Sequence, residues 1–130
     1  MTDPDSLHEA SDSLRTQTID NHRAIRSLME ELEAVDWYAQ RIDATDDPDL
    51  KAVLTHNRDE EKEHAAMVLE WLRRRDPVLD GYLRQYLFTE GPIDLIEEKA
   101  EAESEPGAPR AGQGSLNVGD LRGARGGGRR

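Results

Sequence analysis

The chain predicts an all-α fold: an antiparallel two-helix hairpin that dimerises into a four-helix bundle, followed by a short C-terminal helical arm and a disordered tail. Three observations carry that reading. Two long stretches without internal Gly or Pro hold apolar residues at helical spacing, and a short polar loop joins them. Hydrophobic residues make up 35% of the chain against 35% charged, with two Trp, three Tyr and one Phe, so a self-contained core is small and a partner chain is expected to supply the missing contacts. The last quarter is rich in Gly, Pro and Arg.

The first helix is predicted from about Ser13 to Ile42, where Leu14, Ile19, Ile25, Leu28, Leu32, Val35, Tyr38 and Ile42 recur at steps of three and four. The segment DATDDP ends it and starts the next. Asp47 suits an N-cap, Pro48 the first helical position, and Asp49 the positive helix end. The second helix runs from Pro48 to about Arg75, with Arg73, Arg74 and Arg75 complementing its negative end before Pro77 stops it. Each helix is about 30 residues, roughly 45 Å long. A loop of about five residues between them implies an antiparallel hairpin. A shorter helix follows near 78 to 88, then a break at Gly91-Pro92 and a charged helix to about Glu103. The expected organisation is a flexible N-terminus over 1–12, a helical region over 13–103 and a flexible tail over 104–130.

Several function classes drop out. With no cysteine, disulfide frameworks, thiolate zinc sites and thiol nucleophiles are excluded. No apolar run has the length of a membrane span, and MTDPDSLHEA has no signal-peptide core, so a cytoplasmic protein with no membrane partner is expected. The net charge is −11, although residues 104 to 130 hold five arginines against Glu105 and Asp120. The helical body is therefore more acidic than the whole; it repels nucleic acid and attracts cations.

The run RDEEKEHAAM over 58 to 67 is where that charge becomes specific. Glu61 and His64 are three apart and share a helix face with Leu54, Asn57, Ala65, Val68 and Leu72, on the apolar stripe. On the first helix Glu31 sits among Leu28, Ala34, Val35 and Tyr38. Counting from the loop, Glu31 and Glu61 lie roughly 17 and 20 Å away at helical rise, so an antiparallel hairpin sets them face to face. Two carboxylates and an imidazole in a partly apolar place are costly unless a divalent cation pairs with them. Oxygen and nitrogen donors without sulfur suit iron or manganese, with zinc a further option. Di-iron carboxylate bundles take one Glu from each of two helices and a Glu-x-x-His from each of two more. This chain carries half of that set, and two chains complete it.

Other residues keep two readings. Glu30 and Glu33 share a more polar face with Arg23, Arg26 and Trp37, and serve either as ion-paired surface or as a secondary cation-attracting site. Trp37 reads as interface packing; Tyr38 follows Glu31 by two turns and borders the same stripe. His8, His22 and His56 read as ordinary helix or tail residues. In the tail, Leu116, Val118 and Leu121 are spaced as an extended peptide needs to fill successive pockets of a partner, with glycines on either side.

The stretches MEELEAVDWYAQRID (29 to 43), HNRDEEKEHAAMVLEWLRRRD (56 to 76) and YLFTEGPI (86 to 93) resemble the encapsulated ferritins, two-helix ferritin-like proteins, over about residues 20 to 97. GSLNVGDLRG (114 to 123) looks like an encapsulin targeting peptide. The resemblance implies a ferroxidase, an oxidoreductase converting Fe(II) to Fe(III) at a di-iron centre between two chains, with Glu31, Glu61 and His64 as ligands and catalytic residues. It implies that Glu30 and Glu33 serve iron access beside Trp37 and Tyr38, that five dimers form a ring, and that the protein is cargo stored inside an encapsulin nanocompartment. Within that reading Glu31 is the candidate bridging ligand. The rival reading is a non-enzymatic acidic helical adaptor, or a protein that buffers metal.

Overall fold

A computed structural model describes residues 7–104. It divides into two units, one ending at Arg75 and one beginning at Asp76. The first unit is the hairpin. A 3-10 turn at Ser11–Ser13 precedes helix α1, Thr16–Ala44, and helix α2 spans Pro48–Arg75.

The loop is built as the sequence chemistry dictates. The Thr45 amide closes α1 on the Arg41 carbonyl at 3.1 Å, the Asp47 amide donates to Thr45 Oγ1 at 3.2 Å, and Asp47 Oδ1 accepts from the Asp49 amide at 3.0 Å. That last bond is the N-cap expected of Asp47. Lys51 Nζ donates to the Ile42 carbonyl at the loop end, while Gln17 Nε2 donates to the Arg75 carbonyl, 3.4 Å away, at the far end. These two contacts fix the antiparallel sense of the pair.

The hairpin has little interior of its own. Ala65 and Leu72, both on α2, are the buried apolar residues among those described. Ile25, Met29, Leu32 and Trp37 on α1 and Leu50, Val53 and Met67 on α2 stay exposed. Two helices can cover only one stripe each, so the flanks of both stripes remain open.

The second unit begins with helix α3, Pro77–Tyr86. Asp76 caps it, its side chain accepting from the Leu79 amide at 3.0 Å, and Pro77 occupies the first turn, where its missing N–H costs nothing. Arg84 and Asp80 pair one turn apart on α3 at 3.0 Å. Past Tyr86 the chain turns through two left-handed residues, Phe88 at φ 61° and Gly91 at φ 87°. The glycine adopts this without cost; the phenylalanine does not. A 3-10 turn at Ile93–Leu95 leads into α4, Ile96–Ser104. The break expected at Gly91-Pro92 and the charged helix after it are both present. The tail expected after Ser104, with Leu116, Val118 and Leu121, lies outside the described residues, as do residues 1–6. No helix among the described residues is long and apolar enough to cross a membrane.

Candidate metal centre

Glu31 is carried by the middle of α1, and Glu61 and His64 by the middle of α2, so opposed helices deliver two carboxylates and an imidazole to one height. His64 Nδ1 lies 3.0 Å from Glu61 Oε1 and 3.4 Å from Glu31 Oε2. One ligand atom from each of the three falls within 4.8 Å of the others. The Glu31 and Glu61 side chains are 25% and 24% exposed, on the packed faces of their helices. His64, at 47%, stands on the open edge of the same stripe. The imidazole thus presents itself to whatever lies beside the hairpin, while the carboxylates line its seam.

The electrostatics of the cluster are those of a place short of positive charge. Burial pushes the Glu31 carboxyl above its ordinary range, and the hydrogen bond and negative charge of Glu61 push it further; His64 offsets this only in part. The hydrogen bond to Glu61 raises the His64 imidazole, the carboxylates of Glu31, Glu61 and Glu60 add to the rise, and partial desolvation opposes it. A divalent cation among these donors would answer both effects, because it satisfies two carboxylates at once and takes the imidazole as a neutral ligand. The donor set of oxygens and one nitrogen fits iron on the same chemistry.

The remaining sequence-predicted residues stand apart from the three. Glu30 and Glu33 are exposed on α1. Glu30 Oε2 approaches Arg26 Nη2 at 3.9 Å, and Glu30 contributes to the negative field at Glu31. Trp37 is exposed. Tyr38 is half-buried, with the Arg41 guanidinium 5.7 Å from its ring centre. Neither aromatic hydrogen-bonds to the cluster. His56, read from the sequence as an ordinary helix residue, brings Nε2 to 3.4 Å from Glu60 Oε2 one turn on, an exposed pair outside the cluster. The i,i+4 spacing of that pair was the available signal.

The pattern defining the EncFtn-like family matches residues 6–90, which include both helices of the cluster. The chain belongs to that family. Among relatives of this EncFtn-like chain, the encapsulated ferritin-like protein of Rhodospirillum rubrum is 56% identical over 124 residues, covering 91% of this chain and 89% of the relative. The encapsulin nanocompartment cargo protein EncC of Myxococcus xanthus is 39% identical over 108 residues, 77% of this chain and 83% of the relative. A crystal structure of a Nitrosomonas europaea protein aligns with a TM-score of 0.66 at 60% identity, covering 68% of this chain and 97% of that one. The EncFtn-like chain therefore has an all-α, ferritin-like helical fold; its periodicity predicts the helices, and the resemblance implies the ferritin-like type.

Proposed function

We propose that this EncFtn-like protein is a ferroxidase and the cargo of an encapsulin nanocompartment, where its product is stored. The observation that carries the reading is the convergence of Glu31, Glu61 and His64 from two antiparallel helices, in a hairpin whose open flank runs beside His64. A second copy set against that flank would bring a second trio and complete a set of four carboxylates and two imidazoles.

Iron is both substrate and occupant of such a centre. Each Fe(II) gives up one electron, so two ions and two protons reduce one dioxygen to hydrogen peroxide while two Fe(III) form. The chain's own residues do three things. Glu31 and Glu61 supply negative charge in a partly desolvated seam, which favours the trivalent ion over the divalent one. His64 is held by Glu61, so the imidazole is already turned toward the carboxylates before a cation arrives. Glu30 and Glu33, exposed one residue before and two residues after Glu31, raise the local concentration of cations at the seam.

Address and storage belong to the same proposal. The relatives named for encapsulation and for encapsulin cargo support reading the 114–123 segment as the peptide that enters a shell. Leu116, Val118 and Leu121 would be its apolar anchors, and their joint replacement by Ser is expected to abolish packaging by a co-expressed shell, measured by co-purification.

An anaerobic Fe(II) titration followed by admission of oxygen, with sizing chromatography at each step, tests the chemistry. Fe(II) should raise the assembled fraction, because a ligand bound only by the dimer shifts association by mass action, and oxygen should be consumed when admitted. A sizing profile indifferent to iron, with no oxygen uptake, would leave the adaptor reading standing instead.

A further inference from the structure

Sulfur is scarce in this chain. It has no cysteine, and its three methionines are Met1, Met29 and Met67. Met1 lies outside the described residues, while the other two stand near the cluster of Glu31, Glu61 and His64 in opposite ways. Met67 follows His64 by three residues on α2, so the two are neighbours on one helix surface, about 5–6 Å apart at Cβ. It is 64% exposed. Met29 precedes Glu31 by two residues, which at about 3.6 residues per turn sets it on the far side of α1. There its Sδ accepts from Arg26 Nη1 at 3.7 Å, and the side chain is 48% exposed.

The space beside Met67 leads away from the cluster. A groove of about 400 Å³ has Ala24 and Ser27 of α1 and Met67, Val68 and Trp71 of α2 in its walls. Ser27 and Ala24 precede Glu31 by four and seven residues, and Val68 and Trp71 follow His64 by four and seven. Those spacings keep to one side of a helix, so the groove continues the faces that carry Glu31 and His64. Among the described residues that line it, Met67 holds the only sulfur. Trp71, the other oxidisable side chain there, has one face of its ring covered by the Arg75 guanidinium at 4.0 Å.

We infer that Met67 is a modification site, a thioether that takes an oxygen atom from hydrogen peroxide leaving the metal centre. The inference rests on the ferroxidase reading, which supplies that peroxide. The Sδ lone pair attacks one peroxide oxygen, the O–O bond breaks as the S–O bond forms, and the other oxygen leaves as water with both protons. Sulfur loses two electrons and the peroxide gains them. The product is methionine sulfoxide, a modification that reductases reverse. Because the oxidant arises at the cluster, the step needs no route from bulk solvent, and a second copy over this flank would enclose the groove without removing the source.

Peptide mass spectrometry tests this on the full chain after Fe(II) and oxygen are supplied with catalase present. Catalase destroys peroxide that has reached solution, so Met67 should gain one oxygen while Met29 stays reduced. Reagent hydrogen peroxide on the metal-free protein should oxidise both, and the Met67-to-Met29 ratio should be about tenfold higher in turnover because the source is adjacent. Met67→Leu, of similar size, should form Fe(III) at the wild-type rate and release more peroxide in the first turnovers, by up to one molecule per chain. Normal Fe(III) formation with Met67 left reduced, or a ratio equal to that with reagent peroxide, would overturn the inference and leave the ferroxidase reading intact. So would selective oxidation of Met67 that persists in Glu61→Ala, since the centre would not be its source. Failure of the wild type to form Fe(III) would instead remove the ferroxidase reading, and the inference with it.

Discussion

Two carboxylates on α2, two and a half turns apart, are treated in opposite ways. Glu70 accepts from Arg73 Nε and Nη2 and from Arg74 Nε, each at 2.7 Å. Those bonds, Arg73 first and Arg74 second, hold its carboxyl down at about 2. Glu61 is met by His64 and by a second carboxylate, Glu31, which its presence pushes up. One site is a finished, partly exposed ion pair. The other collects acceptors with too little positive charge. The difference separates structural from functional use of the same residue type: an acidic helix stabilises itself by supplying its own arginines, and a cation site withholds them.

The largest effect expected from that contrast lies in iron chemistry. Glu31→Ala, Glu61→Ala and His64→Ala should each suppress iron oxidation and iron occupancy beyond the roughly 10–100-fold that loss of a mere supporting partner costs. Glu70→Ala should leave both within about twofold, since its pair with Arg73 and Arg74 lies two and a half turns along α2 from Glu61 and supplies no group to the cluster. Rapid absorbance measurement of Fe(III) formation and elemental analysis check the two quantities. Wild-type iron occupancy in Glu61→Ala would erase the distinction between the two carboxylates.

Much of this contrast can be read from the sequence. The apolar periodicity placed both helices within a few residues of their ends, and equal heights above the DATDDP loop placed Glu31 opposite Glu61. Both inferences need only helical rise and a stop signal, which are local properties. The edge position of His64 was less legible. Spacing alone sets it on the apolar stripe, but how far two helices cover that stripe depends on their packing. The three arginines were read as complements to the helix end; in the structure Arg73 and Arg74 close on Glu70, and Arg75 stacks 4.0 Å over the Trp71 ring. Rotamer choice decided between those uses, and the pattern does not encode it. The left-handed conformation of Phe88 carried no signal at all, because the residues that normally announce it are Gly and Asn.

A smaller effect concerns the metal-free protein near neutral pH. Removing a charge from the cation-poor cluster should stabilise the fold, and removing one from the finished pair should weaken it. Glu31→Gln keeps size and ends the repulsion with Glu61 and Glu30, so its unfolding midpoint should lie above that of the wild type. Glu70→Gln gives up a partly exposed pair, worth about 0.2–1 kcal/mol after solvent screening, and its midpoint should lie below. Calorimetry with chelator present measures both. Shifts of the same sign would mean that the cluster is already neutralised within one chain and does not await a cation.

The smallest effect is the pH at which each shift disappears, and it follows from the directions of the two carboxyls. The Glu70 carboxyl is lowered from 4.5 to about 2, so its contribution is complete above 4.5 and is lost as pH falls from there toward 2. The Glu31 carboxyl is raised above 4.5, so its penalty is complete above the folded value, shrinks as pH falls through that value, and is gone below 4.5, where the group is protonated in both folded and unfolded chains. On acidification the advantage of Glu31→Gln over the wild type should therefore vanish first, while the deficit of Glu70→Gln persists. Only on further acidification should that deficit close as well. Unfolding midpoints of the three metal-free proteins across this range decide the matter: if the Glu70→Gln deficit closed before the Glu31→Gln advantage, the two carboxyls could not be perturbed in opposite directions, and the cluster around Glu31 would be an ordinary solvated acidic face.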